Sequence, residues 1–274
     1  MKFKKLGKTN EKISVLGQGT WIQDTIEKKE EVDYFNKWKQ SLLKGIELGM
    51  TLIDTAEIYG EGKSEEMVGS VIKESNRDDL FIATKVFSGN LKYDDCIKAC
   101  IRSLGRLGIK TIDLYQIHWP NATISIEETM RAMEQLVKEG KIRYIGVSNF
   151  SEGGLEKAME VMKTEEIVSH QIEYSPGLRR VERKIYPQCL KEGITLIAYS
   201  PLGSDGFQTL KTNKKETLKE LAKIYDASIY QVALKWLISK ENVVAIPKAR
   251  TLSHVIDNAK SADLEITEED LATI

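Results

Sequence analysis

Four ionisable side chains in this sequence occupy positions from which they could act together. Asp54 closes the run Thr51-Leu52-Ile53-Asp54, Lys85 closes Ile82-Ala83-Thr84-Lys85, and His118 closes Tyr115-Gln116-Ile117-His118. The runs read as strands, which puts these three residues at successive strand ends. Neighbouring strands lie ~4.8 Å apart, so the three side chains can converge within hydrogen-bonding reach. Tyr59 follows Asp54 by five residues and precedes Gly60, which places a phenol on a turn above the same sector. A free phenol ionises only near pH ~10, and an adjacent ammonium lowers that value by stabilising the phenolate. On this reading Asp54 fixes Lys85, Lys85 eases proton release from Tyr59, and His118 donates a hydrogen bond that polarises a carbonyl. The set contains no nucleophile. It suits protonation of a developing alkoxide, a reaction that needs a hydride donor to complete it. Taken singly, Asp54 and Lys85 would read as a structural ion pair, and their joint placement with Tyr59 and His118 reverses that.

Such side chains must be held by a scaffold with many strand ends on one face. Eight β-branched runs read as strands: Val15–Gly19, Thr51–Asp54, Leu80–Lys85, Thr111–His118, Ile142–Val147, Ile167–Ile172, Thr195–Tyr199 and Val243–Ile246. Helical patterns lie between and after them, near Glu30–Leu48, Ser64–Glu74, Asp94–Leu107, Ile126–Glu139, Gly154–Met162, Glu182–Glu192, Glu216–Ser239 and Ser253–Ala259. Continuous apolar strands joined by helices imply a parallel sheet, and eight such units favour an α/β fold of the (β/α)8 TIM-barrel type, whose site forms at the strand carboxyl ends. An open doubly wound sheet is the runner-up. Gly17-Gln18-Gly19 lacks the third glycine of a dinucleotide fingerprint, which weighs against it. Lys2–Leu6 and Ile13–Leu16, joined through Gly7 to Lys12, are expected to form an N-terminal β-hairpin that plugs the barrel bottom. No linker interrupts the pattern, so residues 1–274 read as one domain.

Composition narrows the function classes. Forty Lys+Arg against 41 Asp+Glu leave a net charge of −1, so no global positive field favours nucleic acid or an anionic membrane. The first 20 residues hold no signal-like apolar run, and no stretch of ~18 apolar residues offers a membrane span. Three cysteines, Cys96, Cys100 and Cys189, are too few for a disulfide scaffold and suit a reducing compartment, so the expected location is cytoplasmic. His170 and His254 have no ligand-like spacing around them, and no metal is expected. Trp21 and Trp119 follow strand ends and read as substrate-pocket walls, whereas Trp38 and Trp236 read as helix-face packing.

Asp54-Thr55-Ala56-Glu57-Ile58-Tyr59-Gly60, Ile117-His118-Trp119-Pro120, Ile145-Gly146-Val147-Ser148-Asn149-Phe150 and Tyr199-Ser200-Pro201-Leu202 resemble signature segments of the aldo-keto reductases, and Gly19-Thr20-Trp21 is similar too. The resemblance runs from about Phe3 to Asp270. It implies that Tyr59 is the general acid of a tetrad with Asp54, Lys85 and His118, and that Trp21, Tyr59, His118 and Trp119 form the substrate pocket. It also implies that Ser148, Asn149 and Gln171 hold a nicotinamide carboxamide while Tyr199 stacks on the ring. Gly19, Thr20, Trp21, Asp54, Ser200, Pro201 and Leu202 would complete that end of the cofactor site. Ile246, Lys248, Ala249, Arg250, His254, Asp257 and Asn258 would take the adenosine end. The chain departs from the commonest family pattern at His170, where Asn often precedes the glutamine, and at Ala249 and His254, where many NADP-using members carry a hydroxyl residue and an arginine.

The implied function is NADPH-dependent reduction of aldehydes or ketones to alcohols, with NADH usable but weaker. The partner is a small-molecule carbonyl substrate, and the chain is expected to be a monomer or weak homo-oligomer. Two other readings stay open: a cofactor-binding regulatory barrel similar to potassium-channel β subunits, and a Schiff-base aldolase using Lys85. Residues 249–274 are all that follow Lys248, and the loop from Trp119 to Ser125 is short. An open, shallow pocket is therefore expected.

Overall fold

The computed structural model describes residues 1–22, 31–208 and 210–274. Strands β1 (Phe3–Lys5) and β2 (Lys12–Ser14) pair antiparallel, Phe3 opposite Ser14. Ile13 of β2 and Leu6, just after β1, are buried with Leu52, Phe81, Leu114, Val168, Ile197 and Val244, so the hairpin's apolar side closes the bottom of the barrel interior. The barrel strands follow in chain order: β3 (Gln18–Gly19), β4 (Leu52–Asp54), β5 (Phe81–Val86), β6 (Ile112–Ile117), β7 (Ile142–Ser148), β8 (Ile167–Glu173), β9 (Thr195–Tyr199) and β10 (Val243–Ala245). Each is parallel to the next, from β3 through β10. Leu16 bridges Ala245, and the Ala245 N–H reaches Val15 O at 3.0 Å while the Gly17 N–H reaches Ala245 O at 2.8 Å, which closes the sheet on itself. At that seam a Cβ on Gly19 would stand 2.8 Å from Ile246 O, so the approach of first and last strands depends on the missing side chain.

All eight strand readings correspond to observed strands, with ends shifted by up to three residues. These strands are apolar because both faces are covered: the inner face by the barrel interior, the outer by helices. The helices are α1 (Glu31–Glu47), α2 (Lys63–Lys73), α3 (Tyr93–Leu107), α4 (Ile126–Lys138), α5 (Glu152–Glu160), α6 (Ile185–Glu192), α7 (Thr212–Ile224), α8 (Ile229–Ser239), α9 (Leu252–Lys260) and α10 (Glu268–Ala272). Glu30, the expected start of the first helix, lies outside the described residues. In α4, Thr129, Met130, Met133 and Leu136 recur at helical spacing on the buried face, and the Ser125 hydroxyl caps the start by accepting the Glu128 N–H.

Two helix readings require correction. Glu182–Glu192 spans a 3₁₀ turn, Arg180–Arg183, and α6, parted at Lys184 with φ −141° and ψ −56°. The pattern Glu216–Ser239 is not a single helix but α7 and α8, broken at Tyr225–Ser228. Asp226 turns left-handed at φ +47°, and Ser228 opens α8 with a reciprocal cap in which its hydroxyl accepts the Gln231 N–H while the Gln231 side chain accepts the Ser228 N–H. The local hydrogen bonds of Ser228 compete with helix continuation and win. The chain's last residues extend the core: Leu271 and Ile274 are buried with Val15, Leu16 and Met50.

Candidate active site

The strand ends bring Asp54, Lys85 and His118 together, and a 3₁₀ turn, Tyr59–Gly62, brings Tyr59 to them. Lys85 is fully buried and makes three contacts. Its Nζ lies 2.6 Å from Asp54 Oδ2, 2.9 Å from Thr55 O and 3.2 Å from Tyr59 OH. The other Asp54 oxygen accepts from Gln171 Nε2 at 2.7 Å, with Gln116 Nε2 further off at 3.5 Å. The Tyr59 and His118 rings meet edge to face at 5.5 Å between centroids. His118 Nδ1 is buried and has no partner among the described residues.

The electrostatics correct one expectation. Burial raises the Tyr59 pKa, and the opposing pull of Lys85 does not offset it, so the phenol holds its proton more firmly than a free tyrosine. Burial works to lower the Lys85 pKa, but Asp54 and Tyr59 prevail and raise it, leaving a firmly held ammonium. Burial, then the Lys85 charge, brings His118 down to about 3, so its imidazole is neutral near pH ~7 and can still donate one N–H.

Asp54, Tyr59 and His118 open onto a cavity of about 540 Å³, while Lys85 lies buried behind them and does not line it. Of the residues singled out by sequence, it is lined by Gly19, Thr20, Trp21, Asp54, Tyr59, His118, Trp119, Ser148, Asn149, Gln171, Tyr199, Ser200, Pro201, Leu202, Ile246 and Lys248. Trp21 and Trp119 are 44% and 50% exposed, so the mouth is walled by indoles but open. Asn149 joins three strand ends: its Nδ2 donates to His118 O at 3.1 Å and Ser148 Oγ at 3.0 Å, and its Oδ1 accepts from Tyr199 OH at 2.9 Å. Lys248 Nζ donates to Trp21 O at 3.2 Å and lies 5.5 Å from the Trp21 ring centre.

Ala249, Arg250, His254, Asp257 and Asn258 are not among the lining residues. The Arg250 guanidinium lies 5.2 Å from the Tyr34 ring centre, and the His254 N–H is capped by Thr251 Oγ1 at the start of α9. Asp257 Oδ2 accepts from Ser228 Oγ at 2.8 Å and Oδ1 from Gln231 Nε2 at 2.8 Å, tying α9 to the start of α8. Asn258 is buried on α9.

Sequence reasoning missed Gln116 beside Asp54, and Ile58, Gly203, Ser204, Gly206 and Pro247 in the lining. Gln116 carried a signal. It stands two residues before His118 and so shares its strand face, a polar side chain between Tyr115 and Ile117.

The family model described as Aldo/keto reductase family matches residues 15–274. Methylglyoxal reductase YeaE of Escherichia coli strain K12 is 36% identical over 264 residues, covering 96% of this chain and 90% of that protein. Glyoxal reductase of Bacillus subtilis strain 168 is 39% identical over 246 residues, covering 89% and 84%. A crystal structure of a thermostable aldo-keto reductase with the inhibitor epalrestat superposes at TM-score 0.91 with 43% identity, covering 99% of this chain and 98% of that one. An aldo-keto reductase from Klebsiella pneumoniae in complex with NADPH superposes at 0.89 with 32% identity, covering 99% and 94%.

Proposed function

Because the chain belongs to the aldo/keto reductase family, an oxidoreductase family, we propose that it reduces small aldehydes and ketones to alcohols with NADPH, Tyr59 giving the proton. The observation that carries this reading is the buried chain Asp54–Lys85–Tyr59 beside neutral His118. Lys85 has three N–H donors and three acceptors around it, so the Tyr59 oxygen accepts from the ammonium and its own hydrogen is left for a substrate oxygen. When that proton leaves, the 3.2 Å contact from Lys85 stabilises the phenolate, and Asp54, held by Gln171, keeps the lysine charged. His118 orients and polarises the carbonyl as a neutral donor.

The donor set fits NADPH. Ser148, Asn149 and Gln171 offer the hydroxyl and amide groups that pair with a carboxamide, and Tyr199 supplies a ring wall beside them. Lys248, Arg250 and the start of α9 offer positive charge for a phosphate on the adenosine, with Asn258 on the same helix. NADPH held there would supply the hydride for the carbonyl carbon, and Tyr59 would give the carbonyl oxygen its proton, so that an alcohol and NADP⁺ would result.

The names of the E. coli and B. subtilis relatives point to small dicarbonyls, methylglyoxal and glyoxal, as first substrates to try. A neutral, half-exposed indole mouth also suits aryl aldehydes. A Lys85 aldolase is the weaker reading, since a lysine kept charged by Asp54 has no lone pair for a carbonyl. NADPH consumption over a panel of dicarbonyls, aryl aldehydes and ketones tests the proposal. Alcohol formed in step with NADPH lost supports it, whereas tight cofactor binding without turnover of any carbonyl would favour the regulatory-subunit reading.

A further inference from the structure

His170 departs from the family pattern and has no task in the chemistry above. It is fully buried, next in sequence to Gln171 of the cavity wall, but on the opposite face of β8. Its Nε2 accepts a hydrogen bond from the backbone N–H of Phe150 at 3.2 Å. A backbone N–H can only donate, so Nε2 carries the lone pair and the proton of the neutral ring sits on Nδ1. Nδ1 faces Cys189 Sγ of α6 at 3.9 Å. Burial brings the ring's pKa down to about 4, in keeping with a neutral acceptor.

The bond matters because of the residue before Phe150. Asn149 has φ +62°, the left-handed region that asparagine enters at some cost. Its backbone is fastened to β8 on both sides, by the Asn149 N–H on Gln171 O at 3.0 Å and by the Phe150 N–H on His170. From this conformation its side chain reaches His118 O, Ser148 Oγ and the Tyr199 hydroxyl. An apolar residue at 170 would fill the space but leave the Phe150 N–H buried without an acceptor. Turning the 149–150 peptide alone leaves Asn149 at positive φ, so relief requires the whole turn to re-form with φ of Asn149 negative. That change carries the Asn149 side chain away from His118 O, Ser148 Oγ and the Tyr199 hydroxyl.

We propose that His170 is a positioning residue for the nicotinamide end of the site. By accepting the Phe150 N–H it holds Asn149 left-handed, and so arranges Ser148, Asn149 and Tyr199 without itself touching the cofactor. The inference rests on the reading above that those three groups hold the nicotinamide. It concerns cofactor affinity and leaves the proton donor, Tyr59, in place.

Three variants test it. His170→Leu removes the acceptor. His170→Gln restores one, because the glutamine carbonyl reaches about as far along the side chain as the imidazole Nε2. Cys189→Ala loosens packing on the other side of the ring without touching the bond. In fluorescence titrations, His170→Leu is expected to raise the NADPH Kd about tenfold, the scale of one lost hydrogen bond, with the aldehyde KM little changed. His170→Gln and Cys189→Ala are expected to stay close to the parent. A His170→Leu protein with parental Kd overturns the proposal, as does a His170→Gln or Cys189→Ala protein that loses as much as the leucine variant.

Amide hydrogen exchange without cofactor separates this proposal from the functional reading. The Phe150 amide is expected to be protected in the parent and in His170→Gln, and to exchange faster in His170→Leu. A parent that binds no NADPH would refute the assigned cofactor, and the exchange at Phe150 would still decide the pin. Should His170→Leu fail to fold, a Phe150 amide that exchanges in the parent like an unbonded loop amide overturns the proposal by itself.

Discussion

A lysine with three donors and three acceptors decides which way the neighbouring phenol can point, and the site is built around that constraint. Tyr59→Phe keeps the ring and removes the proton, so kcat is expected to fall by roughly 10²–10⁴-fold while the NADPH Kd stays at the parental value. Steady-state kinetics beside a binding titration checks both, and a phenylalanine variant with parental kcat would show that another group is the acid. The phosphate end gives a second residue-scale expectation. Lys248→Met is expected to weaken NADPH binding by about 1.5–3 kcal/mol, the scale of a charged hydrogen bond, and NADH binding much less. Equal losses for both cofactors would remove Lys248 from the phosphate. The clustering of Asp54, Lys85 and His118 was legible because strand ends are legible, and each of their strands ends in that residue or within one residue of it. The direction of the Tyr59 shift was not. Charge on Lys85 and burial of Tyr59 oppose each other, and only the folded environment fixes which is larger.

At the scale of elements, parallel strands were easy to read because burial on both faces leaves them mostly apolar, with few polar residues such as Lys85 and Asp113, which have buried partners. The helix that divides into α7 and α8 was harder, because Leu218, Leu221, Ala222, Val232 and Leu237 keep an apolar face on both sides of the break. The stop lay in Ser228-Ile229-Tyr230-Gln231, a capping box that periodicity alone passes over. Ser228 also donates to Asp257 Oδ2 on α9, so one hydroxyl starts a helix and joins two. Ser228→Ala is expected to cost about 1 kcal/mol in urea denaturation, the usual worth of a lost N-cap. Ser228→Asp is expected to keep the cap but place a second carboxylate against Asp257, and so to regain little. A Ser228→Ala protein as stable as the parent would mean that packing along α7 and α8 sets the break.

Across the whole molecule the barrel separates the groups that stabilise it from those proposed to react. One face carries the tetrad at the strand carboxyl ends, while the other carries the hairpin and a charge cluster that touches no part of the cavity. Asp113, almost wholly buried near the start of β6, accepts from Arg77 at 2.6 Å, from Arg143 at 2.8 Å and from the Ile82 N–H at 2.8 Å. Arg143 also pairs with Glu11 of the hairpin turn, so the cluster links β5, β6, β7 and the barrel plug. The two arginines keep part of their surface in water, which softens the loss when their shared carboxylate is removed. Asp113→Ala is therefore expected to cost about 3 kcal/mol, the low end for breaking a buried ion pair, with Tm lowered by several degrees. Below that transition kcat and KM are expected to be parental, because chemistry in this fold belongs to the opposite face. Tyr59→Phe should show the reverse, a parental Tm with kcat lost. A fall in kcat for Asp113→Ala well below its Tm would show that the bottom of the barrel is coupled to the site, and that the two faces do not divide stability from catalysis.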